Sequence, residues 1–348
     1  MSDGGARPPD GEHEKAGLGD VAAANSATWA GWKSRTLAVP WFGPLAALAL
    51  VYLLFALLVP DTFARSTNLV TMARQTVVVG IASVGMTMVI VAGGIDLSVG
   101  SSVALATVVI ARALNAGAGT FMAVTMGIAV CALAGVLVGA AIAFGRITPF
   151  VISLGAMTIL RGTAKGLARE QKIDADARGL DGLLGVLPAD KRWMVFPPGV
   201  WLFAVIAALF VAILRYTRFG RHVFAIGSNE RTARLCGIRV EAVKIGVYAI
   251  SGLLAGVAGV MEFATLTVGD PTDSVGLELE VIAAAVIGGA SLLGGEGSVI
   301  GSVVGASLMT VIKTGSTHLG LPNWVEEVVT GGIIVTAVAL DRLRHRRP

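Results

Sequence analysis

VGMTMVIVAGGIDLSVGSSVAL, residues 84–105, decides how the rest of this chain is read. An apolar run reaches Ala92, breaks at Gly93 and Gly94, and resumes at Leu97 after a single acid, Asp96. Glycine lets the backbone leave helical geometry. In lipid, the freed N–H and C=O groups must then be met by protein or by cavity water. A carboxylate at membrane depth is costly, so Asp96 is expected to face a cavity or a partner. Ser98 and Ser101 add hydroxyls to the helix that follows. Two compatible roles stay open for Asp96: capping the N-terminus of that helix, or lining a path through the membrane.

The chain around this stretch calls for a bilayer. Of its 348 residues, 55% are hydrophobic and only 14% charged, with mean hydropathy +0.78; a soluble domain carries about 25% charged residues. One water-soluble core of this size could not hide so much apolar surface. The 45 glycines suit close helix packing where lipid supplies no hydrophobic drive between helices. Two cysteines, Cys131 and Cys236, imply no disulfide framework. The basic residues are not gathered on a polar face, so no nucleic-acid partner is expected.

Residues 1–36 mix Gly, Pro and both charge signs without apolar periodicity and read as a disordered cytoplasmic tail. His13 between Glu12 and Glu14 reads as solvated tail rather than a metal site. From there, uncharged runs such as 38–60 and 193–214 recur, and a spanning helix needs about 20 mostly apolar residues. About ten spans are expected, some interrupted: 41–59, 69–92, 98–114, 121–144, 149–167, 198–215, 244–265, 279–293, 297–314 and 324–341. The transmembrane domain is thus 37–341, an all-α polytopic fold, followed by a basic tail at 342–348. Lys33 and Arg35, the arginines of 215–244, and Arg342, Arg344, Arg346 and Arg347 fall on one side only if six spans precede residue 215 and four follow. By the positive-inside rule both termini are then cytoplasmic.

Residues 294–302, GGEGSVIGS, echo GGIDLSVGS at 93–101, with Glu296 in the place of the acid. Paired glycine-interrupted segments in two halves point to a transporter built from related repeats. Arg161 and Lys165 share a face of the fifth span and must line a cavity or reach the surface. In the loop 218–244, Ser228 is a plausible N-cap, Glu230 and Arg234 suit the two ends of a helix dipole, and Gly237 suits the C′ position. A helix of about two turns is expected there, either docking another protein or touching lipid headgroups. No phosphate-loop, HExxH or GxSxG motif occurs, and no paired-cysteine metal site, so neither an ATPase nor another enzyme is indicated.

The blocks 84–105, ITPFVISLGAMTILRG at 147–162, FGRHVFAIGSNERTARLCGI at 219–238 and ELEVIAAAVIGGASLLGGEGSVIGSVVGA at 278–306 occur in order. In these the sequence resembles the permease subunits of bacterial ABC sugar importers of the ribose, xylose, arabinose and galactose class. Ala92 departs from the Thr or Ser that often precedes the Gly-Gly pair. The resemblance implies a type II ABC importer permease in the bacterial inner membrane, contacting lipid and pairing with a second, identical permease chain as a homodimer. An ABC ATPase subunit would bind ATP and Mg, this chain holding no cofactor, and a periplasmic sugar-binding protein would deliver the substrate. Gly93, Gly94, Asp96, Ser98, Ser101, Arg161 and Glu296 would belong to the pathway or gate. The helix at 229–236, within 228–237, would couple to the ATPase through Arg221, Ser228, Asn229, Glu230, Arg231, Arg234 and Gly237. An ion-driven secondary transporter using Asp96 and Glu296, or a membrane scaffold acting through loop 218–244, are the competing readings.

Overall fold

A computed structural model describes residues 42–344. The expected tail at 1–36 and the end of the basic tail, from residue 345, lie outside the described residues. Each of the ten expected segments contains a helix: α1 (Phe42–Leu58), α3 (Ser66–Val91), α4 (Val99–Asn115), α5 (Thr120–Gly145), α6 (Pro149–Ala168), α7 (Pro198–Tyr216), α10 (Val240–Leu266), α11 (Leu277–Ile287), α12 (Val299–His318) and α13 (Asn323–Arg344). Between them lie the short α2 (Pro60–Phe63), two further helices α8 (Arg218–Ser228) and α9 (Glu230–Leu235), and two two-residue strands, β1 (Ile173–Asp174) and β2 (Val268–Gly269). Among the described residues, α3, α5, α7, α10 and α12 are long and apolar enough to cross a membrane.

The eighth expected span, 279–293, is corrected. Helix α11 ends at Ile287 after 11 residues, a rise of about 16 Å against a hydrocarbon core of about 30 Å. The apolar run continues past it, but Gly289 takes φ +95° and Gly288 has no room for a side chain, since a Cβ there would lie 2.4 Å from the backbone of Gly301. The helix therefore stops early, and residues 288–298 continue as irregular backbone packed through Gly288 against Gly301.

Small residues set the packing. Helix α10 lies along α5 so closely that a Cβ on Gly135 would sit 2.2 Å from the Tyr248 carbonyl oxygen, and one on Gly252 would sit 2.3 Å from that of Cys131. Gly139 and Gly256 extend the contact by one turn each, giving facing small-xxx-small stripes. Helix α3 is the axis of the bundle. From Thr76 to Val91 every side chain is buried, and α3 packs against α7, α10, α11 and α12. Outward, Leu50, Leu57, Phe121, Leu137, Phe144 and Val205 are exposed, the surface expected of helices that meet lipid rather than water.

The antiparallel pairing of Ile173 with Gly269 and Asp174 with Val268 ties the 169–197 segment to the end of α10. A Lys172–Asp270 ion pair at 3.0 Å stands beside it. This marks one end of the bundle. The opposite end carries α8 and α9.

Candidate functional site

Helix α8 begins where Thr217 turns its hydroxyl to accept from the Gly220 N–H at 3.1 Å. It buries Gly220, Val223 and Ile226, one face of a helical period, and leaves Arg221 exposed. Sequence reading missed this helix because its run of Arg and His resembled a connecting loop. The Thr217 cap and the spacing of Val223 and Ile226 were the available signals.

The chain then breaks at Asn229, which corrects the expected cap. Ser228 is the last residue of α8, and the side chain of Asn229 accepts from the Thr232 N–H at 3.0 Å. Helix α9 runs six residues and closes at Gly237, φ +83°. The Glu230 carboxylate takes Lys244 of α10 at 2.7 Å and Arg234 at 3.4 Å, while Arg234 also pairs with Glu241. Lys244 holds the Glu230 carboxyl below its usual range, with Arg234 adding to the effect. Arg234 does the same for Glu241. This network fixes α9 to the start of α10. Arg231 stays exposed, and Leu235 is 88% exposed at the tip of an otherwise charged element.

Beneath α9 three glycine segments meet. A Cβ on Gly227, at the end of α8, would fall 1.7 Å from the Val91 carbonyl oxygen and 2.6 Å from the Gly295 nitrogen. Those two atoms are themselves joined, Gly295 N–H donating to Val91 O at 2.9 Å. Gly294 lies against both Gly227 and Gly93, a Cβ there approaching their backbones to 2.8 and 3.0 Å. Positive φ at Gly93, Gly294 and Gly295 makes these turns possible. The two echoing motifs are thus in contact with each other and with the residue before Ser228. A cavity of about 280 Å³ opens beside this junction, bordered by Gly93, Gly94, Ser228, Asn229, Glu230, Lys244 and Tyr248.

The two acids of the motifs differ. Asp96 is buried, accepting from Ser98 N and Oγ at 3.0 and 2.6 Å through Oδ1 and from Ser251 Oγ at 3.0 Å through Oδ2. It shapes the turn into α4 and pins it to α10. Tyr248 adds a bond to Ile95 O at 3.3 Å. Glu296 is exposed. Ser101 is buried in α4 with its hydroxyl oxygen unpartnered. Arg161 stands apart from this end: Nη1 donates to the carbonyls of Pro271 and Asp273, holding the segment that leads into α11. Among the described residues no three His, Cys, Asp or Glu side chains converge to hold a metal.

Comparison with known proteins places this architecture. Residues 68–338 match the family model described as branched-chain amino acid transport system / permease component. The chain belongs to this permease family. The permease is 35% identical to the ribose import permease protein RbsC of Escherichia coli strain K12, over 86% of this chain and 93% of that one. It is 32% identical to the D-allose transport system permease protein AlsC of the same organism, over 87% and 91%. Identity is also 32% to the L-arabinose ABC transporter permease protein AraH of Azospirillum brasilense, over 88% of each. No solved structure matches the permease. Its relatives are named as permeases, which agrees with a chain that lacks the hydrolase motifs sought above.

Proposed function

We propose that this permease is the transmembrane subunit of an ATP-driven importer that moves a monosaccharide, pentose or hexose, or a related polyol, across the bacterial inner membrane by alternating access. The relatives that cover most of the chain carry sugar names, which favours a sugar over the amino acids in the family description. The α8–α9 end, with Arg218, Arg221, Arg231, Arg234 and Arg239, is cytoplasmic under the positive-inside rule. An ABC ATPase docks there on α9, a binding protein delivers sugar at the opposite end, and a second copy of the chain completes the passage.

The observation that carries this reading is the glycine junction. A push on α9 passes through Asn229 and Ser228 to Gly227, whose backbone touches both motif loops at once. Close-packed backbone leaves no slack, so a displacement there moves the starts of α4 and α12 together. Leu235 and Arg231 offer an apolar and a basic contact to the docking partner.

The test is reconstitution of the permease with its ATPase and binding protein in proteoliposomes. The double variant Glu230→Ala/Arg234→Ala is expected to insert and assemble but to hydrolyse ATP without importing sugar. Sugar flux by the permease alone, without ATPase, would instead establish gradient-driven transport. Coupled uptake at the wild-type rate in the double variant would remove α9 from the coupling role.

A further inference from the structure

At the end opposite α8 and α9 a second cavity, about 460 Å³, opens between α3, α10, α11, α12 and the 273–275 segment. This volume falls within the range of about 300–1,000 Å³ typical of small-molecule sites. Its lining is unusual for the interior of a bundle in lipid. Gln75 is exposed on the outer half of α3, just before the stretch from Thr76 to Val91 that is buried throughout. Arg74 beside it keeps a buried Nε with no hydrogen-bond partner. Across from them stand Glu262, Thr310 and Lys313. Lys313 Nζ reaches Glu280 and Glu326 only at 3.5 Å each, the outer limit of a hydrogen bond.

We propose that this cavity receives the neutral, polyhydroxylated substrate on its way through the permease, with Arg74, Gln75, Glu262, Thr310 and Lys313 as its hydrogen-bonding shell. The inference rests on the importer reading above and adds the site where the sugar is held. Ionisable side chains at membrane depth face a cavity for a functional reason. Here Arg74 and Lys313 share one space with Glu262, Asp273 and Glu280, so an anion or a cation would meet a like charge on some wall. A sugar presents hydroxyls that both donate and accept. Carboxylates accept from them, Arg74 and Lys313 donate to them, and Gln75 and Thr310 do either. Such a ligand replaces the long Lys313 contacts without any change of net charge. Beyond the cavity the core of α3 is solid. Ile81, Val84, Met86, Met88 and Ile90 of α3 are fully buried, and Thr87 Oγ1 donates to Ser302 Oγ at 2.6 Å across to α12. This packed stretch of α3 stands between the cavity and the 280 Å³ space beside α9.

The test uses the full importer in proteoliposomes, with Cys236→Ser removing the exposed thiol and Thr310→Cys placing one in the cavity; Cys131 is buried. A membrane-impermeant thiosulfonate is applied from the binding-protein side. Uptake is expected to fall at least tenfold on modification. D-ribose, D-allose or L-arabinose, used as probes, is expected to slow the modification several-fold, while ATP hydrolysis continues. Should Thr310→Cys not assemble, Gln75→Cys takes its place. Glu262→Gln is expected to raise the KM for uptake about tenfold with hydrolysis unchanged. Wild-type importer that moves none of the three sugars refutes the sugar reading itself. Sugar uptake that is indifferent to modification, or protection by leucine and by none of the sugars, refutes the site alone.

Discussion

Replacing Gly227 by alanine tests the junction beneath α9 most directly. The new methyl group would lie 1.7 Å from the Val91 carbonyl oxygen, where real Cβ atoms essentially never come within 3.0 Å. The backbones must therefore part by about 1.3 Å, the difference between those two distances. None of the crowded atoms belongs to a flexible side chain, so there is no rotamer to yield. Overpacking of this kind costs about 1–3 kcal/mol. Parting also breaks the 2.9 Å bond from Gly295 N–H to Val91 O, and an unmade buried backbone bond adds about 1–3 kcal/mol. The expected loss is about 2–6 kcal/mol, or a fall in Tm of roughly 4–12 °C in the purified, detergent-solubilised protein at about 2 °C per kcal/mol. Gly155→Ala on α6 is the control, because nothing lies within 4 Å of its added Cβ. It is expected to be neutral or stabilising by up to about 1 kcal/mol. If Gly227→Ala melts together with Gly155→Ala, the three segments do not pack as described and force cannot pass between them at this point.

Other substitutions probe separate contacts. Ser251→Ala removes the donor to Asp96 Oδ2 and is expected to destabilise by about 1.5–3 kcal/mol, measured by thermal unfolding; Asp96→Asn, which keeps an acceptor for Ser98, should unfold later than Asp96→Ala. Arg161→Met frees the carbonyls of Pro271 and Asp273, so hydrogen exchange at 272–278 should quicken while α9 is unaffected. Glu230 and Glu241 both have folded carboxyl pKa values below their ordinary range. Their contribution is complete above the unfolded value of about 4.3 and is lost as pH falls through the folded one. A nitroxide on the exposed Cys236 should stay restricted from neutral pH down to about 4.3 and gain mobility only below it.

Much of this molecule could be read in advance because lipid imposes one rule, a run of about 20 apolar residues per crossing. That rule located every long helix to within a few residues. It failed at α11, since nothing in the apolar run 281–295 declares that Gly288 must press against Gly301, a contact made by chain brought in later. It failed at α8, which lies outside the apolar runs and shows only a short amphipathic period. The kinship of GGIDLSVGS and GGEGSVIGS was visible, but not that Gly227 would sit between them. Asp96 and Glu296 looked equivalent as letters, and only packing separates the buried acceptor from the exposed acid. The larger cavity was illegible for another reason. Gln75, Glu262 and Lys313 sit near the ends of three different apolar stretches, where a polar side chain ordinarily marks the lipid boundary, and no local pattern says that they converge.

The axial helix has an awkward schedule during synthesis. Residues 66–98 leave the ribosome early, yet Ser251, Gly295 and Ser302, which add bonds to Asp96, Val91 and Thr87, arrive more than 150 residues afterwards. Until then the nascent polypeptide holds an acid bonded only by its neighbour Ser98, and a bare Val91 carbonyl, close to the insertion machinery. Chains that stop short of α12 never gain the Ser302 contact, so an unfinished copy keeps a looser axial helix than a finished one.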